Sequence, residues 1–421
     1  MAASSLKLLA REKTAAPSTT ATAPAIRTAQ WQRPRKCQFE PAGQTFRIVV
    51  LHTAEELAQH VTAWDELAGT ALEPNVFYES WMLLPALKAF GADQDLRFVL
   101  LYTEEPAGPA RQPILCGFFP LERQPSYKGF PVACTRLWRY KYAMLCTPLI
   151  HADYARDCLA ALLDWLKQER DGGALLALNQ ISGDGLLALL LTDYLDDSAC
   201  PAALEESYAR ALFERDTDSE SFLTTALSNQ RRKYLRKQER RLERLGQVEY
   251  VEWHADTEIE TWLEEFLQLE AKGWKGRASS ALASDAASQQ FFLEAMREGA
   301  RRERLLFLAL RLNGNPIALK CCLRAGAGSF AFKIAFDEDY EQASPGWQLE
   351  LETIHRLHCD ETIEWMDSCA AAHSFTNQLW PARRTISTWL LSTGKGCGDL
   401  AVALLPLSRW LKRKFYKTVS T

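Results

Sequence analysis

Ser344-Pro345-Gly346 is the stretch of this sequence best suited to holding a ligand. Before it, Ser329 to Phe336 has the aromatic, alternating look of a half-buried strand. Asp337 to Ala343 is acidic and polar and reads as a loop. After it, Trp347, Leu349, Leu351, Ile354 and Leu357 recur at helical spacing. A serine at the cap, a proline at the first helical position and a glycine in the first turn predict a helix start. Such a start, at the end of a strand, presents unpaired N–H groups and the positive end of the helix dipole. It suits a phosphate or pyrophosphate. The same tripeptide also caps helices that bind nothing. Glu361 to Asp367 reads as a further strand, so strand, loop, helix and strand form one unit around the turn.

Other chemistries are poorly supported. There is no GxSxG, GxxxxGK[ST] or GxGxxG spacing, so no hydrolase elbow, P-loop or dinucleotide fingerprint is expected. The 11 cysteines fall without a CxxC or a Cys/His ligand pattern, and no metal site is expected. Their odd number argues for a reducing compartment, so a cytoplasmic protein. Net charge is −4, so any contact with a polyanion must come from a local patch. No apolar run approaches the roughly 18 residues that span a bilayer.

The elements that must position the turn come in two similar sets. Residues 1–45 are rich in Ala, Thr, Ser and Pro and read as a disordered tail. From Phe46 the order is strand, helix (54–68), helix (75–90), strands at 95–102 and 114–121, short strands at 132–140 and 144–148, helix (153–167), strand (174–181) and short helix (183–191). The second set runs strand (248–253), helix (259–272), helix (288–301), then a hairpin of 305–312 and 316–325 turned at Asn313-Gly314-Asn315. This predicts an α+β fold made by tandem duplication of one unit. The expected boundaries are 46–215 for the first unit, 216–405 for the second and 406–421 for a basic C-terminal tail. Between the sets lies Asn229 to Gly246, a basic helix with a narrow apolar stripe at Tyr234, Leu235, Leu242 and Leu245. Its cations are either a solvated face or a surface for a polyanion or phosphorylated ligand.

Several motifs in order carry a family resemblance. They are Arg231-Arg232-Lys233, Arg240-Arg241-Leu242, Leu245-Gly246, Glu270 to Arg277, Asn313-Gly314 with Ile317-Ala318, Lys333 to Asp337 with Tyr340 and Ser344-Pro345-Gly346, then Asp367-Ser368 and Asn377 with Trp380. The series resembles the CelD-like acetyltransferases of the GNAT superfamily, found among genes for cellulose and other exopolysaccharides. It is also similar to the Fem-type aminoacyltransferases, which carry two GNAT-like units. The match covers roughly residues 225–385; the first half matches in architecture only.

The resemblance implies two tandem GNAT-like units, each a mixed, mainly antiparallel sheet flanked by helices. It implies acyl transfer from acetyl-CoA or another acyl-CoA to an amine or hydroxyl of a saccharide or envelope precursor. The donor pyrophosphate is then expected on Gln342, Ser344, Gly346 and Trp347. Ser344 stands where a glycine is usual, and Pro345 has no N–H to donate. Asp367 and His373 are the candidate bases. Lys333, Trp274, Lys275 and Trp380 are candidate substrate contacts; the alternative for both tryptophans is core packing, the commoner use of a Trp. Alternatives are an aminoacyl-tRNA donor met by 229–246, or a non-catalytic adaptor. The aromatic and basic tail could also rest on an anionic surface of the inner membrane.

Overall fold

The computed structural model describes residues 41–104, 113–371 and 374–416. The first half runs β1 (Phe46–Leu51), α1 (Ala54–Ala58), α2 (Val61–Thr70), α3 (Ser80–Phe90), β2 (Leu96–Thr103), β3 (Leu115–Gln124), β4 (Cys134–Leu137), β5 (Leu149–Ile150), α4 (Ala155–Gln168), β6 (Leu175–Ser182), α5 (Leu186–Ser198) and β7 (Ala202–Glu214). Two helices, α6 (Ser219–Ala226) and α7 (Asn229–Glu243), lead into the second half. That half runs β8 (Val248–Glu252), α8 (Ile259–Lys272), α9 (Trp274–Arg277), α10 (Ala286–Arg301), β9 (Leu305–Leu312), β10 (Asn315–Ala325), β11 (Gly328–Phe336), α11 (Pro345–Cys359), β12 (Trp365–Asp367), β13 (Ala382–Ser392) and α12 (Gly396–Tyr416).

All strands join one 13-stranded sheet, in the order β1-β2-β3-β4-β6-β13-β7-β12-β11-β10-β9-β8, with β5 set against β3. Read inward from either edge, the halves match. β1-β2-β3-β4-β6 and β8-β9-β10-β11-β12 are antiparallel until the last pair, which is parallel in both. The two central strands are exchanged. β7 follows β6 in sequence but pairs with β12, and β13 follows β12 but pairs with β6. They also pair antiparallel with each other, from Ala382↔Leu212 to Leu391↔Ala202. This is the α+β fold of two tandem units expected from element order, fused at its centre by a swap that the order did not announce.

Local sequence accounts for most elements. The Asn313-Gly314 turn has φ of 51° and 80°, the left-handed pair that a two-residue hairpin demands. α4 buries Cys158, Leu159, Leu162, Leu163 and Leu166 at helical spacing. Neither exchanged strand was expected. Ala202–Glu214 is charged and exposed over its first part, and Ala382–Ser392 opens with two arginines. The strand expected at 144–148 is irregular chain instead, and the single helix expected at 54–68 is divided into α1 and α2.

The core has two sides. On one face of the second-half sheet, Phe266, Phe291 and Phe292 pack on Phe307, Leu319 and Cys321, in a cluster continuous with the first half. Phe77–Phe330 and the stacked Tyr142–Phe291 pair, with centroids 5.4 Å apart in each, join the halves there. On the other face Leu235 and Leu242 of α7 and Leu349, Ile354 and Leu357 of α11 cover Leu306, Leu308, Leu310 and Ile317. The expected tail at 1–45 lies outside the described residues except for 41–45. The tail expected from 406 begins as a continuation of α12, and residues 417–421 lie outside the described part.

Candidate active site

β11 and β12 stay paired for three residues only, Gly328↔Trp365, Ser329↔Met366 and Phe330↔Asp367. β12 stops there while β11 runs on to Phe336, leaving one edge of residues 331–336 without a partner strand among the described residues. On its other edge β11 carries a bulge: Lys333 faces Cys321 and Ala331 faces Cys322, so Phe332 is the extra residue. A bulge re-aims side chains locally. Here Phe332 and Lys333 both turn toward Tyr142 of the first half. The Phe332 ring is 6.3 Å from the Tyr142 ring, and Lys333 Nζ sits 4.5 Å above it. The Ile334 carbonyl points to the open edge and accepts from Lys275 Nζ at 2.9 Å.

The acidic loop after β11 folds as a 3-10 turn, Glu338–Ala343. It is latched to α8 and α9. Lys272 Nζ lies 2.7 Å from both Asp337 and Asp339, Arg277 lies 2.5 Å from Glu338, and the Trp274 amide donates to Glu338. α11 starts where the sequence predicted, with Pro345 in its first turn. Ser344, however, does not cap with its side chain. It sits in the left-handed region at φ 54°, which costs a non-glycine residue roughly 1–2 kcal/mol. Its carbonyl accepts from the Trp347 and Gln348 amides, at 3.0 and 3.1 Å. Pro345 has no N–H. Among the described residues the Gly346 amide is therefore the one left without an acceptor in the first turn. The cradle of several naked amides expected here reduces to one.

α7 borders this turn. Gln348 Nε2 donates to the Leu235 carbonyl at 2.9 Å, Arg231 lies 4.3 Å from the Trp347 ring centroid, and Arg241 bonds Gln342. Trp347 also meets Phe375, with centroids 5.4 Å apart.

On the other side of the open edge, burial pushes Lys333 down to about 8, against a smaller upward pull from Glu270. Among the described residues no carboxylate or carbonyl partners its ammonium. Lys275 is instead tied to buried Glu270 at 2.8 Å, whose other oxygen takes the Leu282 amide. It therefore braces the α8–α9 elbow. Trp274 is 51% exposed, so its ring is available and is not core. Lys141 of the first half reaches Asp285 at 3.0 Å and Ser288 at 2.8 Å beside this region.

Two expected site residues do not belong to the site. Asp367 is fully buried, with Oδ2 2.6 Å from Arg210 and 2.9 Å from Arg384 and Oδ1 bonded to the Cys369 amide. Although burial alone would raise it, the two guanidinium charges hold its carboxyl below the usual range. A carboxylate fixed ionised between two arginines, away from solvent, is a structural tie and a poor base. Trp380 is fully buried, with Lys320 Nζ 5.3 Å from its ring, so it is core. His373 lies outside the described residues. Sequence reading missed Arg210, Arg384 and Tyr142. The one hint was an arginine set among apolar residues in Ala209-Arg210-Ala211-Leu212.

Residues 229–375 match the family described as the acetyltransferase (GNAT) domain. No curated protein matches the sequence. Among solved structures, FemX superposes with a TM-score of 0.51 at 10% identity, covering 81% of this chain and 96% of that one. A conserved protein of unknown function from Bacteroides thetaiotaomicron VPI-5482 gives 0.47 at 10% identity, over 83% and 99%. L-PGS from Bacillus licheniformis gives 0.42 at 13%, over 86% and 97%. Identities this low speak for fold alone. The second half thus carries a GNAT acetyltransferase domain, and the chain is an acyltransferase. GNAT domains take acyl-CoA as co-substrate. The described residues hold no cluster of side chains fit to bind a metal.

Proposed function

We propose that the protein moves an acetyl or other acyl group from coenzyme A to an amine or hydroxyl of a saccharide or envelope precursor. This is the reaction its CelD-like motifs imply. The observation that carries the reading is the unpaired edge of β11, with the Gly346 amide at one end and Lys333 beside it. A donor with its phosphates at Gly346, near Gln342, Ser344 and Trp347, would lay its thioester along that edge. The acceptor would approach past Trp274 and Lys333. Attack on the carbonyl carbon forms the new C–N or C–O bond and a tetrahedral oxyanion. Collapse breaks the C–S bond, and the thiolate leaves. Lys333, charged below about 8 and without a counter-ion among the described residues, suits that oxyanion. His373 is retained as the proton acceptor on sequence grounds, and Asp367 is not proposed for it.

Titration calorimetry with acetyl-CoA, coupled to a thiol-release assay on candidate saccharides, tests the reading. Binding by wild type that is lost in Gly346→Arg is expected; absence of binding by wild type would remove it. A second reading, an aminoacyl-tRNA donor of the Fem type, is favoured by the basic face of α7. A gel shift with charged tRNA at low salt that shows no complex would dismiss it.

A further inference from the structure

The charged surface of this protein is largely self-compensated. Arg297 pairs with Glu260, Arg311 with Glu265, and Lys272 with two aspartates. α7 differs. Among the described residues Arg231, Lys233, Arg236, Lys237, Arg240 and Arg241 have no carboxylate within ion-pair distance, 4.0 Å. This unpaired helix lies against the donor loop. Arg231 lies between Trp347, 4.3 Å from its centroid, and Tyr234, 5.2 Å away, and Phe375 meets Trp347 at a tilt of 54°. The Arg231 Nε is buried with no hydrogen-bond partner among the described residues. Ten residues further along the same helix, Arg241 reaches the loop at Gln342. At 1.5 Å per residue the two arginines are separated by roughly 15 Å. That span suits a nucleotide with a diphosphate.

Flat aromatic and guanidinium faces stack on purines, and guanidinium N–H groups match phosphate oxygens. The adjoining turn is short of such donors, since Pro345 has none and two amides are spent on the Ser344 carbonyl. We propose that α7 and Trp347 bind the adenosine-phosphate end of the acyl donor. Arg231 and Arg241 supply the phosphate contacts that the turn withholds. The proposal rests on the acyl-donor reading above and names the part of the donor that gives it affinity. A purely structural role for Arg231 is less economical, because the Gln348–Leu235 bond and buried Leu235 and Leu242 already fix α7 to α11.

The test is calorimetric titration with adenosine 3′,5′-bisphosphate, which carries the nucleotide end and no thioester arm. Wild type is expected to bind it, more weakly as salt rises. Arg231→Ala with Arg241→Ala is expected to weaken binding at least tenfold with an unchanged melting temperature. Arg231→Lys, which keeps the charge and loses the flat face, is expected to weaken it several-fold and serves as the second probe if the double variant is unstable. Competition by coenzyme A identifies the coenzyme as the source of this group. Competition instead by a short single-stranded RNA ending in adenosine identifies RNA; either supports the proposal. Failure of wild type to bind the bisphosphate, or equal binding by the variants, overturns it. If acetyl-CoA still binds wild type in that case, the acyl-donor reading survives alone; if it does not, both fall.

Discussion

Both halves contain a parallel strand pair that parts, and they treat the gap in opposite ways. In the first half β4 and β6 pair over Cys134–Arg136. The chain then turns back into the opening. The Cys146 amide donates to the Gln180 carbonyl at 2.9 Å, Thr147 Oγ1 accepts from the Ser182 amide, and Asn75 holds the Leu145 and Thr147 carbonyls. Arg210 takes the Met144 carbonyl at 2.6 Å. Backbone closes that gap. In the second half β11 runs on alone past Phe330, and among the described residues that edge meets only the Lys275 ammonium, on the Ile334 carbonyl. One topology therefore supports two roles, and the connection after the fourth strand decides which. A tight turn leading straight into a helix leaves the edge open; a longer irregular segment fills it. The filled half still contributes, since its plug brings Tyr142 to Lys333.

The largest expected effect is at the seam between the halves. Asp367→Ala would leave the Arg210 and Arg384 guanidiniums buried and uncompensated, at a cost of about 3–5 kcal/mol in denaturant unfolding. If Asp367 were the catalytic base, stability would hold and only turnover would fall. Next is Lys333→Met, expected to lower kcat by roughly 10²–10³ with little change in melting temperature. Wild-type activity should fall as pH rises through about 8, because the lowered Lys333 loses its proton there, and the variant should lack that limb. A rate that rises through the same range would assign Lys333 to the base role instead.

Gly346→Arg should weaken acetyl-CoA binding by tenfold or more, about 1.4 kcal/mol. Gly346→Ala should be mild, since an added Cβ meets only Phe336 at 3.4 Å. The matching change in the closed half, Thr147→Ala, strips the Ser182 amide of its acceptor. It should cost about 1 kcal/mol of stability and leave donor binding unchanged. Donor binding that responded to Thr147→Ala and ignored Gly346→Arg would reverse the comparison.

Much of the fold was legible because duplication repeats its signals. The hairpin Leu305–Ala325 and its counterpart in the first half both announce themselves by apolar runs around a turn, and Pro345 marks the start of α11. Lys333 and the loop to Gly346 stood out as candidates for the same local reasons. Asp367 was misread because an acid ending an apolar strand looks alike whether it faces a cleft or two arginines. Those arginines lie 157 and 17 residues away in sequence.

Periodicity and turn chemistry, which act over a few residues, determined from sequence alone most of the elements outside the exchanged strands, their doubling and the candidate donor turn. Three-dimensional pairing decided the exchange of β7 and β13, the bulge that aims Lys333 at Tyr142, and which gap stays open. Each of these depends on backbone hydrogen bonds between segments far apart in the chain, whose partners no local pattern specifies.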